Sequence, residues 1–335
     1  MRDICWIFPW IEENIQIPLS VLIRKIQANP NKKIIIFNPE EHDVFWHQLR
    51  DNRVSIEKTL KKCNSSLEIW LGVFDFKLED SKRIKFFNWP LHLLYSTCTT
   101  EGMQTQEEKN IDKLGVSLNN VPHDFRCEFV DKLAKYKILD CCYFTWHEDN
   151  VKKLPYKFQH WKPVKSTLAE PEDLGFTNGN WDQYHVPAEF HSGLIHFINE
   201  STVDKLDISE KTWLAILHKK PFVIAGAKHI HKVLEDLGFK NYTQLYNFDF
   251  DSYDSYSDRV ENICAQSAKY IGKDYQQIYH DLMPTINHNY NRLMEIFTKN
   301  EGVPKQLFEY LEGEVPNYLD GPKYQAIKSN LDNTK

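Results

Sequence analysis

The stretch 207-DISEKTWLAILHKKPFVIAG-226 decides how the rest of the chain is read. Residues 209–219 carry apolar side chains at helical spacing behind a cluster of cap-forming residues, and PFVIAG is a short apolar strand that stops at Gly226. Upstream lies GLIHFINES, a second apolar strand, and downstream 228–237 is a helix closed by Gly238. Strand, helix, strand, helix is the grammar of a parallel sheet.

The same alternation extends towards the N-terminus. LGVSLNN (114–120) is strand and loop, DFRCEFVDKLAKYKIL (124–139) a helix, and CCYFTWH a strand; 156–190, rich in Trp, Pro, Gly and Asn, reads as a long loop. Before the polar run EGMQTQEEKN, the strands DICWIF (3–8) and KIIIF (33–37) flank the amphipathic helix PLSVLIRKIQ, and SLEIWLGVF (66–74) is another strand. Residues 259–312 read as mostly helical with a break at Pro284. The expected organisation is α/β, with two Rossmann-like doubly wound domains and a cleft between them: 1–110, 111–265, and C-terminal helices with a polar tail over 266–335.

Composition narrows the function classes. With 335 residues, 41% apolar and 26% charged, the chain is an ordinary globular protein, and its net charge of −6 argues against a general nucleic-acid binder. Seven cysteines without a C-x-x-C pair, two of them adjacent at 141 and 142, point to reduced thiols and a cytoplasmic compartment. No apolar run is long enough for a membrane span, and the N-terminal run is too short for a signal peptide.

In doubly wound sheets ligands sit beyond the carboxyl ends of the strands, where helix N-termini offer free N–H groups and partial positive charge to a phosphate. SLNN leading to Arg126, FINES leading to Glu200 and Ser201, and DISEK opening the next helix all end there. Lys211 and Arg126 add full charges, while Glu210 has the chemistry to accept from both hydroxyls of a ribose. No glycine-rich dinucleotide or P-loop motif is present. The same residues also fit a plain capping pattern, Asp207 followed three residues later by Glu210, with Lys211 solvated. Asp249-Phe250-Asp251 matches the short D-x-D pattern that holds a divalent metal in some glycosyltransferases, and His229-Ile230-His231 looks like a metal pair whose side chains would point different ways on a helix. No metal is expected to be essential.

Three segments taken in order carry a family resemblance. VSLNNVPHDFRCEFVDKL resembles the Ser-Asn…Arg helix segment of the α-1,3-fucosyltransferases (glycosyltransferase family 10). IHFINEST…DISEKTWLAILHKKPFVIAG is similar to their FENS…VTEK donor motif, and LGVFDFKLEDSKRIKFFNWPLHLLY looks like their segment around R-x-P-L-Y-Y. The resemblance spans roughly 66 to 226. It implies a GT-B fold, a nucleotide-sugar co-substrate, an acceptor hydroxyl, with a glycan foremost, and inversion at the sugar. It also implies pyrophosphate contacts from Arg126 and Lys211 and a ribose contact from Glu210, with Asn119, Glu200 and Ser201 alongside. The family's GEN motif, with its proposed catalytic carboxylate, would fall just before Leu67, where this chain has KKCNSS.

An inverting transfer needs a base for the acceptor proton, and the first domain should supply it. Glu12, Glu13, Glu40, Glu41 and His42 lie just beyond its strands, with Glu13 and Glu41 ranked first. Two other readings stay open: an acceptor that is a modified nucleic-acid base, for which Lys32, Lys33, Lys61 and Lys62 are the visible basic clusters, and a module that binds nucleotide or sugar without turnover.

Overall fold

The structure, a computed structural model, describes residues 4–7, 19–38, 51–71, 81–88, 110–119, 123–146, 156–161, 188–200, 202–299 and 301–302, with isolated positions between 90 and 97. The chain divides into two compact units, Met1–His92 with Gly302–Leu319, and Leu93–Glu301 with Asp320–Lys335. Each is α/β and built on a parallel sheet.

The first unit runs β1 (Ile4–Ile7), α1 (Leu19–Ala28), β2 (Lys33–Asn38), α2 (Arg53–Cys63), β3 (Ser66–Leu71) and β4 (Ile84–Asn88). Its strands lie in the order β1-β2-β3-β4, all parallel, with Ile34 opposite Leu67 and Leu67 opposite Ile84. Because side chains alternate along a strand, Ile34, Ile36, Leu67, Ile69 and Ile84 share a face, and they pack against Leu22 and Ile26 of α1 and Ile56 and Leu60 of α2. Helix α2 ends where Asn64 takes the left-handed conformation at φ 51° and returns its N–H to Leu60 and Lys61.

The second unit runs β5 (Lys113–Ser117), α3 (Asp124–Lys135), β6 (Cys142–Phe144), α4 (Ala188–Ser192), β7 (Gly193–Asn199), α5 (Glu210–Leu217), β8 (Phe222–Ala225), α6 (Ile230–Asp236), α7 (Tyr256–Ser267) and α8 (Tyr275–Lys299). The strand order is β6-β5-β7-β8, all parallel. From β5 the chain steps outward to β6 and then returns to the other side of β5 for β7, so the direction of winding reverses between β5 and β7. All seven residues of β7 are buried, as in a parallel strand covered on both faces. Helix α3 packs with α7, and α5 with α8. Gly193 lets the two central strands approach closely: a Cβ there would lie 2.7 Å from the carbonyl carbon of Gly115.

The expected break at Pro284 does not occur. Helix α8 continues from Tyr275 to Lys299 through it. Proline removes one N–H from the helical ladder, and both Pro284 and His280, whose carbonyl loses its partner, are exposed, so water can take the bond. The long reading 124–139 for the third helix is also shortened, because Lys137 turns the chain at φ 59°. No helix among the described residues is long and apolar enough to cross a membrane.

Candidate functional site

The reversal between β5 and β7 is where a doubly wound sheet leaves a crevice beyond its carboxyl edge. Three of the sequence-selected segments meet there in one buried hydrogen-bonded network. Asn119, two residues past β5, donates from its side chain to Ser117 Oγ at 3.0 Å and accepts from Asn199 Nδ2 at 3.1 Å, although Asn199 lies 80 positions along the chain. Thr145, just past β6, holds the backbone of Asn119: its hydroxyl accepts from the Asn119 N–H at 2.8 Å and donates to the Asn119 carbonyl at 3.3 Å. The Arg126 guanidinium reaches back from the first turn of α3 and donates through Nε to the carbonyl of Glu200 at 3.4 Å, spanning 74 positions.

Glu200 connects this cluster to α5. Its carboxylate, 2% exposed, accepts from the backbone N–H of Ser209 at 3.2 Å and from Thr212 Oγ1 at 3.5 Å. Ser209 is the N-cap residue of α5 and makes no capping bond with its own side chain. In a capping box a Glu at the third helical position takes the N-cap N–H; that position here is Thr212, and a carboxylate from the end of β7 takes its place. The Asp207 and Glu210 capping pattern that the sequence also allowed does not supply this N-cap bond. Gly226 makes room for the arrangement, since a Cβ there would come within 3.2 Å of Glu200 Cγ.

With the cap supplied from elsewhere, the first two residues of α5 face one another. Lys211 Nζ lies 3.3 Å from Glu210 Oε1 and 3.4 Å from Ser209 Oγ, and both side chains keep about a fifth of their surface exposed. Asn119, Arg126, Glu200, Glu210 and Lys211 are thus gathered along one sheet edge. Ser201, Glu13 and Glu41 lie outside the described residues, as do Glu12, Glu40 and His42. Chemically the edge offers a buried guanidinium, a partly exposed ammonium and a helix N-terminus to an anion, with a carboxylate beside them for hydroxyls.

The two patterns with metal-site spacing resolve differently. Asp251 is buried and spends its carboxylate on the N-terminus of α6, accepting from the N–H groups of His231 at 3.3 Å and Lys232 at 3.1 Å. Asp249 is exposed and accepts from Asn247 Nδ2 at 2.8 Å. Of the histidines, His229 is exposed in a left-handed turn at φ 68°, while His231 is buried against Phe248 and Phe250, where burial lowers its pKa. Among the described residues no group of three or more His, Cys, Asp or Glu is arranged to hold a metal.

Two participants escaped sequence reading: Thr145, just past β6, and Arg259. Arg259, 4% exposed, donates to the carbonyls of Tyr253 at 2.7 Å, Asp254 at 3.1 Å and Gly226 at 3.0 Å, tying the loop before α7 to the end of β8. Beside it, burial raises the Tyr256 pKa, and the Tyr256 hydroxyl donates to the Phe125 carbonyl at 3.1 Å. A charged residue inside a stretch as acidic as NFDFDSYDSYSDR gives no signal of burial.

No protein-family model and no curated protein matches the chain. Among solved structures, an alpha1,3-fucosyltransferase is similar over 81% of this chain and 84% of its own, at 11% identity and a TM-score of 0.33. A likeness that distant adds no weight to any functional reading, which has to stand on the residues themselves.

Proposed function

We propose that this chain is a GT-B glycosyltransferase that moves a sugar from a nucleotide-sugar donor to an acceptor hydroxyl, a glycan foremost, by direct displacement with inversion. The observation that carries the reading is the convergence of Asn119, Arg126, Asn199, Glu200 and the start of α5 at the reversal point of the second sheet, through hydrogen bonds between residues up to 80 positions apart. Nothing local in the sequence brings these residues together; only the order of strands does.

In this reading the donor diphosphate lies at the N-terminus of α5. Arg126 and Lys211 neutralise it, so that the charge growing on the leaving diphosphate is met by fixed cations and no divalent ion is required. Glu210 exchanges its contact with Lys211 for the ribose hydroxyls. Glu200, set beside the donor contacts by the resemblance, has a positioning role in this reading: its carboxylate fixes the helix start that carries the other two. As the acceptor oxygen forms its bond to the anomeric carbon, the bond to the diphosphate breaks on the opposite face, and a carboxylate of the first unit, Glu13 or Glu41, takes the acceptor proton.

The test is a panel of nucleotide sugars assayed for hydrolysis and for transfer to glycan acceptors. Release of nucleoside diphosphate that scales with enzyme and resists chelator supports the reading. Saturable nucleotide binding without turnover would assign the chain to a binding module instead.

A further inference from the structure

Three segments of the first unit lead into strands at the same edge of its sheet, the amino edge, and each carries a pair of basic residues: Lys32-Lys33 before β2, Lys61-Lys62 at the end of α2 before β3, and Lys82-Arg83 before β4. Sequence reading named the first two pairs as basic clusters and did not include the third. The backbone joins all three: Ser66 donates to the Lys32 carbonyl at 3.2 Å, Asn31 to the Cys63 carbonyl at 2.8 Å, and Leu67 to the Arg83 carbonyl at 2.8 Å. The Arg83 guanidinium adds a bond to the Ser65 carbonyl at 2.9 Å. Lys61, Lys62 and Lys82 are exposed, and Lys32, Lys33 and Arg83 are half-buried.

One described acid answers them. Glu68, almost buried, sits 2.7 Å from Lys33. Subtracting that pair leaves five positive charges on three neighbouring strand starts that pair with no acid among the described residues, in a chain whose net charge is −6. Parallel strands lie about 4.8 Å apart, so the three starts span about 10 Å. A nucleic-acid duplex carries one negative charge per ~1.7 Å of its axis, about six over that length, which matches the density of the edge.

We infer that this amino edge is a docking surface for the phosphate backbone of duplex nucleic acid, held by charge and indifferent to sequence. The exposed large apolar side chains of the described residues are Val54, Tyr253 and Ile271, none of them in these three segments. Among its described residues the edge therefore offers neither rings for unstacked bases nor an apolar centre of the kind a protein partner buries.

The experiment uses the full chain and a labelled 20-base-pair duplex of arbitrary sequence, titrated from 50 to 200 mM salt. Five neutralised phosphates give a slope of log K against log salt of about −4.5, a loss of about 500-fold over that range. The triple variant Lys61→Gln/Lys62→Gln/Lys82→Gln leaves about two, for a slope of about −1.8. Its three lysines make no structural bond among the described residues, so it should melt with the wild type. The control Lys269→Gln/Lys273→Gln, exposed in the second unit, should keep the wild-type slope. Absence of binding at 50 mM salt, equal slopes for the triple variant and the wild type, or equal displacement by polyglutamate of the same charge would each overturn the inference, the last by giving the edge to an acidic polypeptide.

Discussion

Replacing Glu200 tests whether a carboxylate from β7 builds the start of α5. In Glu200→Ala the Ser209 N–H, in a residue 2% exposed, loses its acceptor at 3.2 Å, and Thr212 Oγ1 loses a longer one at 3.5 Å. A buried donor left without a partner costs about 1–3 kcal/mol, and the space vacated beside Gly226 adds about 1 kcal/mol. The sum, about 2–4 kcal/mol, lowers the melting temperature by roughly 5–15 °C for a unit of this size. Glu200→Gln keeps a carbonyl oxygen in the same place and should recover about half of the loss. Because Lys211 is the second residue of the helix so fixed, nucleotide affinity should fall about tenfold in the alanine variant and less in the glutamine one. Scanning calorimetry with and without nucleoside diphosphate reads both effects. A Glu200→Ala protein melting within about 1 °C of wild type, or a Glu200→Gln protein falling as far as alanine, would refute the reasoning.

Other perturbations follow from groups outside that contact. The His196 ring is fully buried against Phe190 with neither nitrogen hydrogen-bonded; burial, and then the charges of Lys220 and Lys211, hold its pKa at about 3. A folded pKa below the unfolded value means full stability above about pH 6.5 and loss as pH falls towards 3, about 2 kcal/mol by pH 5, and His196→Leu should remove that share; an acid loss unchanged by the substitution would count against it. The Asp131 carboxylate accepts from the backbone N–H groups of Gln159 at 3.0 Å, His160 at 2.8 Å and Trp161 at 2.8 Å, so Asp131→Asn should cost about 2–3 kcal/mol and strip those amides of hydrogen-exchange protection; retained protection would contradict it. Asp251→Ala should destabilise by about 1–2 kcal/mol as a lost cap and leave turnover insensitive to chelator; manganese-reversible loss of wild-type turnover in chelator would return that carboxylate to a metal.

What the sequence made legible is what period and apolar runs encode. Every residue of β7 is buried, and the strand appears in the sequence as an apolar run broken by His196 and closed by Asn199, so it could be read directly. Helix α2 could not, because only Ile56 and Leu60 of its eleven residues are buried and the remainder is polar. At the site, the segments chosen from sequence share one sheet edge, but the capping alternative the sequence left open does not supply the N-cap bond. Glu210 and Asp207 look like a local cap, whereas the cap comes from Glu200, nine positions before Ser209 and on another element. A bond between a strand end and a helix start is a property of strand order, which no window along the chain contains. The D-x-D pattern likewise hides that burial separates Asp251 from Asp249 although they are two residues apart.

The central claim is that the start of α5 is a diphosphate site, and calorimetric titration of the whole chain with nucleoside diphosphates, beside Glu210→Ala and Lys211→Ala, tests it most directly. The account predicts saturable binding by the wild type, a loss of more than about 1.5 kcal/mol in each variant, and melting temperatures without ligand unchanged, since Lys211 contacts Glu210 and Ser209 Oγ, at the helix surface. No binding by the wild type to any nucleoside diphosphate, or equal affinity in all three proteins, would contradict it.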